Sequence, residues 1–360
     1  MSKQEIDQGT AGDKNLKAES RKLVKWGSSE TLIMSLPRSW VKKFQLNKDS
    51  EVSILENQDG SLTVSPLNLS SEKPKSETKI LFDPAEFDDM DLIELEITAK
   101  YLDGGDVIVV EKKEGKGPDK FPTKFTLKVQ EVVQSLLGLE ITSLLSTKIK
   151  IQDIMNIHET NVDVLVKIIA DTTVDFFQNL HDIIQSNDYS THIDSLLIAK
   201  KQVRKYFLRI LRELRKGLLI PSSLSRMGLS AQDTVDMAFY ITDLAEVADN
   251  LEIALNAMKS KPLAVELDPK LVSDTNEFMA QVFKIFKSSV DSFLFKVKKD
   301  AISVIKSVPA LEDKKRAIEN AIDSFSNSAQ YVSYEILMDI LSKILDHSRS
   351  IALSSLRRIL

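Results

Sequence analysis

After Gly138, glycine recurs only at 217 and 228 in the remaining 222 residues, and proline only at 221, 262, 269 and 309. Glycine and proline interrupt helices more strongly than any other residues, so this stretch has room for long helices and little else. The surviving breakers, with the polar run Ser186 to Thr191, cut it into segments of helical length. We place helices at about 151–186, 192–217, 230–259, 269–307, 311–328 and 330–357. Phe278, Val282, Ile285, Phe293, Val297 and Ile305 recur at helical multiples within the fourth. Six helices with short connections predict two three-helix bundles in series, at 151–260 and 266–358. A faint repeat agrees: Leu244 to Asp249 and Leu341 to Asp346 each place an Asp five residues after a Leu.

The first 150 residues have a different grammar. Residues 1–20 hold almost no large apolar side chains and read as a disordered tail. Residues 21–66 read as a small, mainly β module. Thr31 to Ser35, Glu51 to Leu55 and Ser61 to Ser65 alternate like strands, and Asp59-Gly60 between the last two is a hairpin signal. Between the strands, Ser35 to Phe44 reads as a short helix with Pro37 at its start, and Trp40, Val41 and Phe44 can share one face. Residues 67–79 are a polar linker. Residues 80–150 read as a small α+β module: Leu92 to Tyr101 has helical spacing, Asp106 to Val110 is strand-like, Glu111 to Pro122 is a charged loop, and Phe125 to Leu137 is helical again.

Composition excludes several classes of function. The chain has no cysteine, so it has no disulfide, thiolate nucleophile or Cys-bound metal. It has no apolar run long enough to span a bilayer, and its N-terminus resembles no signal peptide, so we expect a cytoplasmic protein without membrane insertion. His158, His181 and His192 form no HExxH pair, and no Gly-rich phosphate loop or nucleophile elbow appears. Catalysis is therefore not expected.

Charge is unevenly placed. The chain carries a net −5, yet between Arg21 and Lys48 seven cations face one acid, Glu30. Such concentration suits a polyanion, because each phosphate contact releases counterions. Arg21, Lys22, Lys25 and Arg38 are the first candidates for DNA contact, with Lys42 and Lys43 as weaker backbone contacts. Lys25 to Val52 resembles the AbrB/MazE/SpoVT family: a glycine turn, an apolar strand ending in Leu-Pro, a Lys-Lys-hydrophobic helix end, and Asn47 to Val52 at the family's second hairpin, with Asp49 where glycine is usual. The resemblance implies a swapped-hairpin barrel completed by two chains, hence a homodimer on double-stranded DNA. Trp26 and Trp40 read as barrel core, with base-stacking platforms as the alternative.

Gly228 to Glu252 resembles the PhoU family, in which a Gly-Leu-Ser cap precedes a long helix ending near an aspartate, and Leu341 to His347 resembles a second copy. The two resemblances together match an arrangement found among archaeal phosphate-uptake regulators. They imply a PhoU-like sensor or interaction region whose partner is a phosphate transporter or signalling protein. Relatives of this kind hold metal clusters on paired acids. Here Asp249 and Asp346 are the candidate ligands, but Ala245 and Ser342 stand where the paired glutamates belong, and no cofactor is otherwise called for.

Val203 to Leu214 also resembles a PhoU helix, an apolar one with an Arg-Gln-Leu motif, and here the helix is strongly basic. Lys200, Lys201, Arg204, Lys205, Arg209, Arg212, Arg215 and Lys216 form a basic run on the second C-terminal helix. It reads either as a solvated face or as a surface for an acidic partner.

Overall fold

The computed structural model describes residues 20–360 except 28–29, 57–59, 67–76, 84–89, 114–118, 156–160, 187–192, 220–222, 225–226, 262–267 and 325–331. The expected tail at 1–20, most of the 67–79 linker, Asp59 of the hairpin turn and the centre of the 111–122 loop lie outside the described residues. The chain divides into two units, one ending at Lys73 and the other beginning at Pro74.

The first unit is a small β-hairpin domain. Strand β1 (Val24–Lys25) pairs antiparallel with β2 (Leu32–Ile33), and Gly27 takes the left-handed conformation beside their turn, at φ +63°. Helix α1 (Arg38–Lys43) follows Pro37, whose own backbone is extended, so the proline precedes the helix. Strand β3 (Val52–Glu56) pairs with β4 (Leu62–Pro66) in a second antiparallel hairpin.

The second unit begins with a four-stranded sheet. Its strands β5 (Glu77–Phe82), β6 (Val107–Lys112), β7 (Leu139–Leu144) and β8 (Lys148–Asp153) lie in the order β5-β6-β8-β7. The β5–β6 pair is parallel and the other two are antiparallel. A parallel pair needs a crossover, and α2 (Met90–Leu102) supplies it; α3 (Thr123–Ser135) joins β6 to β7. Ile80, Phe82, Ile108, Val110, Ile149 and Ile151 meet Ile93, Ile97, Phe125 and Val129 in one buried core. On the opposite face Glu111 bridges Lys79 and Lys148.

Six long helices follow: α4 (Val162–Ser186), α5 (Ile193–Leu219), α6 (Ala231–Ser260), α7 (Pro269–Leu294), α8 (Lys298–Asp323) and α9 (Val332–Ile359). They group as α4-α5-α6 and α7-α8-α9, joined along α6–α9 and α4–α7. The two triplets lie side by side and share one continuous apolar core, whereas the sequence suggested bundles in series. Starts follow local chemistry. Ser230 and Asp233 form a reciprocal capping box on α6, and Asp268 accepts from Lys270 N and Leu271 N ahead of Pro269 on α7.

Two helix boundaries differ from the sequence reading. Residues 151–153 end strand β8, so the first long helix begins at Val162 and not at 151. The segment 269–307 is two helices: the chain turns at Phe295 to Val297, where Lys296 is left-handed at φ +54°. Pro309, the expected break, lies inside α8. It is exposed, so water can reach the carbonyl its ring leaves without a donor, which lessens the usual cost.

The basic run on α5 corrects the sequence reading most. Arg209 and Arg212 are fully buried. Arg209 donates to Asp153 at 2.9 and 3.1 Å and pairs with Glu213 at 2.8 Å. Arg212 donates to Asp153 at 2.9 Å, to Gly105 O at 3.1 Å and to Tyr101 O, with its guanidinium 4.7 Å from the Tyr101 ring centre. Arg215 reaches Leu102 O, Lys205 reaches Gln134 O and Lys216 pairs with Asp106. The acidic partner is thus the protein's own α+β module. Cations from α5 cap the carbonyl ends of α2 and α3, where helix dipoles are negative. Burial disfavours charge on Arg209, but Glu213 and Asp153 outweigh it and hold the guanidinium protonated. Gly138 makes the close approach possible: at φ +90°, an added Cβ would lie 2.8 Å from both Arg209 Nη1 and Asp153 Oδ1.

Arg212→Met takes the arginine donor from Gly105 O, one of two donors from Tyr101 O and part of the pairing from buried Asp153, and should cost about 3–5 kcal/mol in urea unfolding. A second expectation concerns pH. Burial raises Tyr101 to about 12 while its hydroxyl donates to Leu137 O. A folded-state value above the unfolded value near 10 gives stability that is present below pH 10 and lost as pH rises through 12, about 3 kcal/mol at most. Unfolding of Tyr101→Phe across pH 9–12 should lack that part of the alkaline loss.

Candidate nucleic-acid interface

All six candidate cations of the hairpin domain, Arg21, Lys22, Lys25, Arg38, Lys42 and Lys43, are exposed. Arg21 and Lys22 precede β1 and Lys25 ends it, while α1 carries the other three. Arg38 and Lys42 are one turn apart on a single face of α1. Lys43 Nζ lies 5.4 Å from the ring centre of Phe44, whose ring meets Trp40 edge-on at 5.4 Å.

The end of α1 is built from two backbone bonds, Leu46 N to Val41 O at 3.0 Å and Gln45 N to Lys42 O at 3.2 Å. This is a Schellman closure with Gln45 in the left-handed position, φ +51°, where glycine is the usual residue. The next turn has a different solution. Asn47 Oδ1 accepts from Asp49 N at 2.9 Å, and Ser50 Oγ accepts from Asn47 N at 2.9 Å. Side-chain bonds set this turn, and Asp49 keeps a negative φ where the family pattern has glycine.

The decisive property of the domain is what it lacks. Among its described side chains from 20 to 66, only Pro66 is buried. Leu23, Val24, Trp26, Leu32, Ile33, Met34, Ile54 and Leu62 are all exposed, Trp26 by 66%. Among the described residues, two hairpins and a six-residue helix enclose no core, and an apolar surface of this kind calls for cover. The sequence pointed to the cations and, through the resemblance, to a barrel completed by two chains; which apolar side chains are left exposed was not legible, because alternation alone does not tell whether an inward face has anything to meet.

The family model described as "Antidote-toxin recognition MazE, bacterial antitoxin" matches residues 23–72. The match spans both hairpins and α1, and supports a swapped-hairpin domain there. No curated protein and no solved structure matches the chain.

The metal candidates lie on different helices, Asp249 on α6 and Asp346 on α9. Asp249 is exposed and lies 3.4 Å from Lys200, which also pairs with Glu252. Asp346 is exposed. Its neighbour His347 turns to Asp243 on α6, Nδ1 to Oδ1 at 2.9 Å. Arg357 with Asp236 and Arg358 with Asp233 continue this ladder along the α6–α9 seam. Among the described residues, no group of three or more His, Asp or Glu is placed to hold a metal. Also among them, no helix is long and apolar enough to cross a membrane.

Gln45→Gly should stabilise the hairpin domain by about 1 kcal/mol, since it removes a left-handed side chain without touching either closing bond. Thermal unfolding followed by tryptophan emission reads this domain alone, because Trp26 and Trp40 are the chain's two tryptophans.

Proposed function

We propose that this chain is a DNA-binding transcription regulator that works as a homodimer and is linked to phosphate uptake or phosphate signalling. The observation that carries the DNA part is the hairpin domain itself, which joins a segment of seven cations and one acid to an apolar surface with no core beneath it among the described residues. Pairing with a second copy would cover that surface, double the cations and arrange them about a two-fold axis, as duplex DNA requires. MazE/AbrB-type domains typically dimerise and bind DNA, and the match at 23–72 supports this assignment.

The phosphate link rests on the PhoU-like stretches at 228–252 and 341–347, which form α6 with its cap and the middle of α9. In this reading the helical region is a sensor or interaction arm, and its partner is a phosphate transporter or signalling protein. The chain acts by binding, with no catalytic step.

Arg21→Ala/Lys25→Ala/Arg38→Ala should lower duplex DNA affinity roughly 100-fold. It should also flatten the salt dependence, by about one unit of log–log slope for each phosphate that is no longer neutralised. Fluorescence anisotropy on labelled duplex across a salt series measures both. Unchanged affinity would leave the domain as a dimerisation device only.

A further inference from the structure

The turn between α7 and α8 has the features of a docking tip. Its sequence, Phe295-Lys-Val-Lys-Lys299, breaks a helical pattern that the sequence alone would continue. Phe295 is 65% exposed. Lys296 holds the left-handed conformation normally left to glycine. Lys298 and Lys299 occupy the first turn of α8, where the helix dipole repels cations, and no side chain caps that helix. Lys296, Lys298 and Lys299 are not buried and make no ion pair with any described residue. Acids are close by: Lys296 acts on Asp233, which Ser230 and Arg358 also hold, and half-buried Asp300 lies in the first turn of α8 with Asp291 near it at the end of α7. The tip therefore combines one projecting aromatic ring with three exposed lysines that make no ion pair with a described residue, two of them at a helix end that repels cations.

We infer that this tip is a peripheral membrane-docking site, with Phe295 entering the interfacial layer of an anionic bilayer and Lys296, Lys298 and Lys299 contacting lipid headgroups. A ring flanked by lysines matches the interfacial pattern, in which the apolar group enters and the ammonium groups stay at headgroup level. Duplex DNA would use the lysines but give the ring no apolar layer. The site is independent of the hairpin domain and of the DNA reading.

The test is co-sedimentation of the full chain with vesicles of phosphatidylcholine alone or with about one third phosphatidylglycerol. To silence the other basic segment, the Arg21→Ala/Lys25→Ala/Arg38→Ala background is used throughout. The anionic vesicles should bind and the neutral ones should not. Each lysine near an anionic surface is worth about five-fold in partitioning, so Lys296→Gln/Lys298→Gln/Lys299→Gln should weaken binding by about 100-fold. Phe295→Ser should weaken it by about ten-fold, with urea unfolding unchanged in both variants. No binding to anionic vesicles, or equal binding by the lysine variant, would overturn the inference. So would a lysine variant that, on the native hairpin background, keeps vesicle binding but loses duplex DNA affinity, which would make the tip a DNA contact.

Discussion

The guanidinium groups of Arg209 and Arg212 are withdrawn from water, and the rest of the second unit is arranged to make that tolerable. An isolated buried cation costs many kcal/mol, so two side by side persist only with dense compensation. Asp153 and Glu213 supply charge, and the carbonyls of Tyr101, Gly105 and Leu137 supply acceptors. These acceptors come from the ends of α2, α3 and β8, so one face of one helix ties the sheet module to the bundle. Gly138 admits the Arg209 guanidinium and the Asp153 carboxylate where a methyl group would collide with both. The clamp explains why α5 is so basic without invoking any outside partner. It also gives the module at 77–153 a defined mechanical relation to the helices, although each keeps its own apolar core.

The hairpin domain is the opposite case. Its cations stay in water and its apolar side chains stay there with them. In the second unit, sequence separation brings acids and carbonyls to the arginines within one chain. In the first, Leu32 and Ile54 stay largely exposed among the described residues, and so does most of Trp26. A single physical rule, that apolar surface and buried charge both need cover, is thus met inside the second unit and leaves apolar surface exposed in the first.

How much of this was legible depended on whether the signal was local. The breaker scarcity after Gly138 and the Asp59-Gly60 hairpin signal are local, and a mostly helical C-terminal region and the β3–β4 hairpin are present. The turn at Phe295 to Val297 was not legible, because it contains neither glycine nor proline and relies on a left-handed lysine. Pro309 misled for the converse reason: exposure lets a helix keep a residue that would break it in the interior. Strand β8 was read as helix at 151–153 because its short apolar alternation runs directly into the next apolar stretch. The role of Arg209 and Arg212 was beyond reach, since their partners in the sheet module lie 56 to 111 positions away in the chain. Charge spacing on α5 shows which residues share a face, not what covers that face.

Both of the chain's tryptophans report on the proposed pairing of the hairpin domain with a second copy. The most direct measurement is tryptophan emission and acrylamide quenching of the full chain over a dilution series, with mass by light scattering in parallel. Shielded, blue-shifted emission is expected at twice the 40.5 kDa chain mass. A red shift and rising quenching should follow as the mass falls to that of one chain. A monomer at every concentration, with emission that never moves, would contradict the pairing.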